Sequence, residues 1–199
     1  MNRFFLFLSL VCCGLFMSIG CGSDDKVIVN GYAPLPPLTS PENIFANLNF
    51  AMNQKDIELF EDLLDDEYLF FSPSQIDAPD YAFDKTEDVT LTGRVFDYFD
   101  KIEYELMEAG AHWIEYGSNV APEDATDISD EHPDENWEVF QRPVTMYLLD
   151  ESGTEGWFVQ SDFEFKMKKQ HDPDTGEPIL DPETKAQIWK IVRWTEYTG

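Results

Sequence analysis

The chain has 199 residues, with 40 Asp and Glu against 13 Lys and Arg, and a formal net charge of -27. A chain this acidic repels nucleic acid and anionic lipid surfaces, because phosphate contacts require Lys and Arg. We therefore expect no nucleic-acid partner, and the length suits one domain preceded by a tether.

Residues 1–20 have the pattern of a secretory signal peptide. Arg3 precedes an apolar stretch that is short for a membrane span, and the stretch ends in Ser18, Ile19 and Gly20. This ending, directly before Cys21, resembles the lipobox of bacterial lipoproteins, although Ser18 stands where that motif usually has leucine. The resemblance implies that Cys21 is the lipid attachment site and the first residue of the mature protein. In the alternative, residues 1–20 are a transmembrane anchor and Cys21 is incidental.

The other cysteines agree with lipidation. Cys12 and Cys13 lie inside the segment that would be removed, so the mature chain keeps only Cys21 and forms no internal disulfide. Residues 21–38 are rich in Pro and Gly without periodicity, which predicts a lipidated tether. We expect the protein in the bacterial cell envelope, held at the inner or the outer membrane by the lipid on Cys21.

Three helices are predicted at the start of the folded part. Ser40 is a helix cap, followed by Pro41, and apolar residues then recur at helical spacing. A second short helix begins after residues 53–56, and an apolar run ending before Pro73 predicts a strand. Residues 74–90 look irregular, and a third helix is predicted over 93–108 from four apolar residues at helical spacing: Val95, Phe99, Ile102 and Leu106.

The rest of the chain reads as antiparallel strands. Residues 111–117 predict one strand, 138–150 and 156–169 predict a hairpin, and 188–197 predict the last strand. The acidic stretch 123–138 predicts a solvated loop.

Residues 40–71, "SPENIFANLNFAMNQKDIELFEDLLDDEYLFF", and the terminal "IWKIVRWTEY" together resemble the nuclear transport factor two-like superfamily. Ketosteroid isomerase, scytalone dehydratase and polyketide cyclases share this fold, and the narrower resemblance is to uncharacterised bacterial lipoproteins. It implies an α+β domain over 39–199, a cone-shaped curved antiparallel sheet with three N-terminal helices packed on its concave face. A pocket would lie between sheet and helices, and its lining candidates are Phe45, Phe99, Trp113, Trp157 and Phe163. In the alternative, these aromatic side chains simply fill the cone.

An isomerase or dehydratase needs a carboxylate or histidine as base in that pocket. His112 is one candidate, on a strand face shared with Ile114 and Tyr116. Glu115 is the other candidate, if the opposite face of this strand points into the pocket. His132 and His171 are expected to face solvent.

We expect neither a cofactor nor a metal ion, because no phosphate-binding loop or zinc spacing is present. A Pro- and Gly-containing hairpin connection explains Asp172, Asp174 and Glu177 better than a calcium loop does. The expected protein is a non-catalytic envelope lipoprotein that binds a small apolar ligand or a protein partner, with a homodimer through the sheet face as one possibility. The alternative is a lyase or isomerase of a hydrophobic small molecule, with His112 or Glu115 as base.

Overall fold

The structure, a computed structural model, describes residues 34–72, 81–108, 110–153 and 156–197. The predicted signal peptide, Cys21 and most of the predicted tether lie outside the described residues. Within the described ranges, no helix combines the length and the apolar character needed to cross a membrane.

The first two helices are confirmed. α1 is Pro41–Gln54, and the Ser40 hydroxyl accepts a hydrogen bond from the amide of Asn43 at 3.3 Å. α1 ends at Lys55, which adopts the left-handed conformation, and α2 follows as Ile57–Leu63. The apolar stripe of each helix is buried, as helical spacing requires for a helix packed on a sheet.

The predicted third helix is wrong in position. α3 is Lys85–Tyr98, and it starts early because Asp84 and Glu87 form a reciprocal capping box. The strand β2, Tyr81–Asp84, precedes it, so the described part of the stretch predicted as irregular is a strand and a helix start. Residues Lys101–Leu106 form the strand β3, whose alternating exposed and buried residues replace the apparent helical spacing.

The remaining strands follow the predicted order, except that one short strand, Ile128–Ser129, lies in the stretch predicted as a solvated loop. They are β1 Leu64–Ser72, β4 His112–Gly117, β5 Ile128–Ser129, β6 Asn136–Leu149, β7 Gly156–Lys169 and β8 Trp189–Tyr197. Within the described ranges they form one sheet in the order β2-β1-β8-β7-β6-β4-β5, and β3 pairs with β6. Most pairs are antiparallel, including the predicted hairpin of β6 and β7, whereas β1–β8 and β4–β5 are parallel.

The three helices cover one face of this curled sheet, and the core lies between them. Phe45 of α1 contacts Phe140 and Phe165 edge-on, with both pairs of ring centres 5.3 Å apart. Ile44, Leu48 and the strand residues around them are buried in the same cluster. The predicted α+β cone with helices on the concave face is therefore confirmed.

The opposite, convex face is partly covered by residues 118–135, which follow β4. A Cβ atom at Gly117 would lie 2.2 Å from the carbonyl oxygen of His132, so only glycine lets the returning chain approach so closely. His132 is only 4% exposed. The acidic loop is thus packed against the sheet at this point, and the prediction that His132 faces solvent is wrong.

The link between β7 and β8 contains two copies of one turn. An oxygen of Asp172 accepts hydrogen bonds from the backbone and the hydroxyl of Thr175, and Asp181 does the same for Thr184. These bonds lower the pKa of both exposed carboxyl groups. Of the three carboxylates compared with a calcium loop, Asp172 therefore has a structural role in the turn.

Candidate functional site

The candidate site is a cavity of about 170 Å³ between the helices and the concave face of the sheet. Its wall is mainly apolar, with contributions from helices and strands: Met52, Phe60, Phe70, Val144, Met146, Val159 and Phe163. Four further lining side chains carry polar atoms, namely Asp88, Thr92, Tyr104 and Trp194. An apolar cavity with a few convergent polar groups is the usual form of a small-molecule site.

Asp88 supplies the carboxylate of the cavity. It lies in the first turn of α3, and its Oδ2 atom accepts a hydrogen bond from the Tyr68 hydroxyl at 2.7 Å. Burial raises the pKa of Asp88 above its ordinary value, although hydrogen bonds from Tyr68 and Thr92 act in the opposite direction. A carboxyl group tuned in this way can exchange a proton with a ligand more readily than an exposed aspartate.

Tyr104 and Trp194 supply two donors that have no partner among the described residues. Tyr104, on β3, is 5% exposed, and Trp194, on β8, is 6% exposed. Neither the Tyr104 hydroxyl nor the Trp194 indole nitrogen forms a hydrogen bond with any described residue. Burial raises the pKa of Tyr104, so its hydroxyl keeps its proton and remains a donor.

Together these groups can bind an oxygen atom on an apolar molecule. A carbonyl oxygen accepts hydrogen bonds from a phenol hydroxyl and from an indole N–H, whereas a hydrocarbon leaves both donors unpaired. A buried donor without a partner costs about 1–3 kcal/mol, so a ligand that supplies the acceptor recovers that free energy. The residues that the structure describes contain no group of His, Cys, Asp and Glu suited to a metal ion.

The two predicted bases lie outside this cavity. His112, at the edge of the sheet, stacks on Phe140 with ring centres 4.3 Å apart and contacts Glu138. Glu115 points to the convex face, where its carboxylate contacts His132 at 2.8 Å and Lys166 at 2.7 Å. His171, at the start of the repeated turns, is exposed.

The five predicted lining residues fall in different places. Phe163 lines the cavity, and Phe45 belongs to the core beside it. Phe99 follows the end of α3 and packs against the core, whereas Trp113 pairs with Val139 on the face away from the helices. Trp157 is 70% exposed, near the end of the long hairpin.

The polar residues of the cavity were not predicted from the sequence, two of them because the secondary structure around them was predicted wrongly. Asp88 falls in the stretch predicted as irregular, and Tyr104 falls in the predicted third helix. The signal that could have found Asp88 is the capping pair of Asp84 and Glu87, which places Asp88 in the first turn of a helix. Trp194 lies in a correctly predicted strand, but only the structure shows that its indole nitrogen lacks a partner in the described ranges.

No protein-family model matches the sequence, and no curated protein matches it significantly. The fold, by contrast, matches solved structures. A protein from Rhodospirillum rubrum, described as NTF2-like and of unknown function in nutrient uptake, is 13% identical, with a TM-score of 0.50 over 80% of this chain and 98% of that chain.

Two proteins from Novosphingobium aromaticivorans have the same TM-score of 0.50. A proposed scytalone dehydratase is 9% identical, with 79% of this chain and 80% of that chain covered. A proposed aromatic ring hydroxylase is 14% identical, with 83% of this chain and 90% of that chain covered. Sequence identities this low indicate a shared fold but do not indicate a shared chemistry. The described domain therefore has the fold of the nuclear transport factor two-like superfamily, as the sequence resemblance implies.

Proposed function

We propose that the domain binds a small, largely apolar molecule with one carbonyl or similar acceptor group in the cavity beside Asp88. The observation that carries this proposal is that Tyr104 and Trp194 both line one apolar cavity, while the donor atom of each is buried without a partner among the described residues. Uncompensated donors destabilise a folded protein, and a bound acceptor removes that penalty.

The volume of the cavity limits the size of the ligand. It measures about 170 Å³, and an engineered apolar cavity of about 150 Å³ takes benzene. A single six-membered ring or a short branched chain fits this space, so cyclohexanone is a suitable probe.

Binding can be tested by calorimetry and thermal unfolding with cyclohexanone and methylcyclohexane. Cyclohexanone should bind more tightly and raise the melting temperature, because only a ligand of the native state shifts unfolding. Tyr104→Phe should weaken cyclohexanone binding about tenfold, the effect of one lost hydrogen bond. Tyr98→Phe is the matched control, since Tyr98 is 79% exposed. Equal affinity for both probes, or for the wild type and Tyr104→Phe, would reject the proposal.

A second candidate function, proton transfer, is favoured by the raised pKa of Asp88. The Asp88 carboxylate would take a proton from the carbon next to the ligand carbonyl, and the electron pair of that C–H bond would move into the enolate. Tyr104 and Trp194 would donate to the enolate oxygen, where the negative charge develops. Return of the proton from Asp88 to a different carbon of the conjugated enolate would complete an isomerisation without loss of atoms.

Conversion of cyclohex-3-enone to the conjugated cyclohex-2-enone tests this step by ultraviolet absorbance. Asp88→Asn should lower the rate by about 10²–10⁴-fold, the usual contribution of a general base. Asp97→Asn, on the exposed side of the same helix, is the control and should keep the rate. Binding of cyclohexanone without any isomerisation would leave the ligand-binding proposal standing and remove the catalytic one.

We also propose that the mature protein is anchored in the envelope by a lipid on Cys21. The sequence pattern around Cys21 supports this proposal. Cys21→Ser should abolish incorporation of labelled fatty acid and release the protein from the membrane fraction, whereas Cys12→Ser should not. Retention of Met1 with an unmodified Cys21 in the wild type would reject it.

A further inference from the structure

A second cavity of about 500 Å³ lies between α1, the end of β3 and the middle of β6. It shares no lining residue with the first cavity. Its walls combine apolar side chains, three charged groups and one amide, and the residues used below are Glu42, Phe45, Ala46, Leu106, Glu108 and Arg142. We call this second cavity the Arg142 cleft.

Arg142 carries a positive charge in an acidic protein. No ion pair joins it to any residue in the described ranges, whereas Arg193 pairs with Glu131. Among the residues that the structure describes, its buried Nε atom has no hydrogen-bond partner, and its Nη1 atom has a long contact of 3.5 Å to the Met107 carbonyl. The guanidinium thus keeps most of its donor capacity unused.

Two aromatic rings hold this guanidinium in place. The central carbon of Arg142 lies 5.1 Å from the ring centre of Phe45 and 5.8 Å from that of Phe140. Contacts of this kind favour a cation while leaving its N–H groups free to bind an anion. An arginine held by rings at the wall of a cleft is therefore preorganised for an anionic ligand, which lowers the entropic cost of binding.

We propose that the Arg142 cleft binds a small amphipathic monocarboxylic acid, a site separate from the cavity of the proposed function. The carboxylate accepts hydrogen bonds from the Nη groups of Arg142, or from its Nε–H after a small rotation of the guanidinium, as in other planar Arg–carboxylate pairs. The apolar part of the ligand lies against Phe45, Ala46 and Leu106. Charge pairing and apolar contact then act on the two ends of one molecule.

Glu42 and Glu108 set the charge of the ligand. Both line the cleft, and neither forms an ion pair with Arg142 among the described residues. The glutamates repel any anion, but one guanidinium balances the single charge of a monocarboxylate, whereas the second charge of a dianion meets only that repulsion. The cleft therefore selects a monoanion over a dianion of similar shape.

The protein is titrated with three probes that share a phenylethyl group. Binding is followed through the nuclear magnetic resonance shifts of Ala46 and Leu106. The probes are 3-phenylpropanoate, its neutral amide and 2-phenylethylphosphonate, all used at an alkaline pH at which the phosphonate is a dianion. The carboxylate should bind about tenfold or more tightly than the amide, because a charged hydrogen bond is lost. Shifts at Met52 and Met146 would report binding in the other cavity instead.

Three variants complete the test. Arg142→Gln should remove the preference for the carboxylate. Arg94→Gln makes the same change of charge at an exposed position of α3 and should keep that preference. Glu42→Gln combined with Glu108→Gln should strengthen phosphonate binding. The proposal is overturned if the amide binds as well as the acid, if Arg142→Gln binds like wild type, or if shifts occur only at Met52 and Met146. None of these results depends on cyclohexanone binding, so this proposal and the proposed function can fail separately.

Discussion

The two faces of the sheet bury polar side chains in opposite ways. On the convex face Glu115 is paired with both His132 and Lys166. In the cavity on the concave face, the donors of Tyr104 and Trp194 have no partner among the described residues. Contacts between paired groups offset the free-energy cost of removing them from water, whereas each unpaired buried donor costs about 1–3 kcal/mol. The convex cluster is therefore structural, and the cavity is the place to look for a ligand.

His132 lies at the centre of the cluster on the convex face. The two ring nitrogens of His132 contact the Glu115 carboxylate and the Glu135 carbonyl, each at 2.8 Å. Both partners are oxygen atoms that accept hydrogen bonds, so the His132 ring is held between two acceptors. Its ring also stacks on Trp137, with centres 3.8 Å apart. This histidine fastens the acidic loop to the sheet.

Removal of His132 should have the largest effect on stability. His132→Ala loses the stack on Trp137 and both polar contacts, and it leaves a cavity, so we expect the free energy of unfolding to fall by about 2–4 kcal/mol. Urea unfolding measures this difference. His171→Ala, at an exposed position, should change stability by less than about 0.5 kcal/mol. A similar small effect for His132→Ala would mean that the loop does not depend on this cluster.

Two tyrosines near Asp88 should respond differently to the loss of a hydroxyl. Tyr68→Phe removes the 2.7 Å bond to Asp88 and should destabilise the protein by about 1–2 kcal/mol. Tyr104→Phe removes an unpartnered hydroxyl and should be neutral or stabilising by up to about 1 kcal/mol. Urea unfolding of both variants without added ligand makes the comparison. Equal destabilisation would show that the Tyr104 hydroxyl has a partner within the protein.

Much of the fold could be predicted from the sequence because its signals are local. Ser40 and Pro41 mark the start of α1, and the alternation in β7 marks a strand with one buried face. The error in the third helix arose because Phe99, Ile102 and Leu106 share helical spacing by coincidence. They lie at the end of α3 and along β3, where burial alternates.

The candidate site could not be predicted in the same way, because it depends on contacts between distant segments. Asp88 and Tyr104 come from two consecutive elements, α3 and β3, whereas Trp194 comes from β8 near the end of the chain. Whether a tyrosine hydroxyl is paired or free is not encoded in any local pattern. Glu115 was a reasonable candidate by residue type, but its pairing with Lys166, 51 residues away, is visible only in the structure.

The smallest expected effect is a difference in pH dependence between Asp88 and Glu115. Burial raises the pKa of Asp88, whereas Lys166 and His132 lower the pKa of Glu115 despite its partial burial. Ionised Asp88 therefore destabilises the fold, and this penalty develops as the pH rises from the ordinary value of 3.8 through the raised pKa. Ionised Glu115 stabilises it, with full effect above the ordinary value of 4.5 and loss as the pH falls through the lowered pKa.

Asp88→Asn and Glu115→Gln should consequently shift stability in opposite directions at neutral pH. Asp88→Asn removes the penalty and keeps an acceptor for Tyr68, so it should gain stability relative to wild type. Glu115→Gln should lose stability, and both differences should shrink toward acid pH as the wild-type carboxylates take up protons. Urea unfolding from neutral to acid pH measures both curves. Two curves of the same sign would mean that Asp88 is paired as fully as Glu115, and the contrast between the two faces would no longer identify a ligand site.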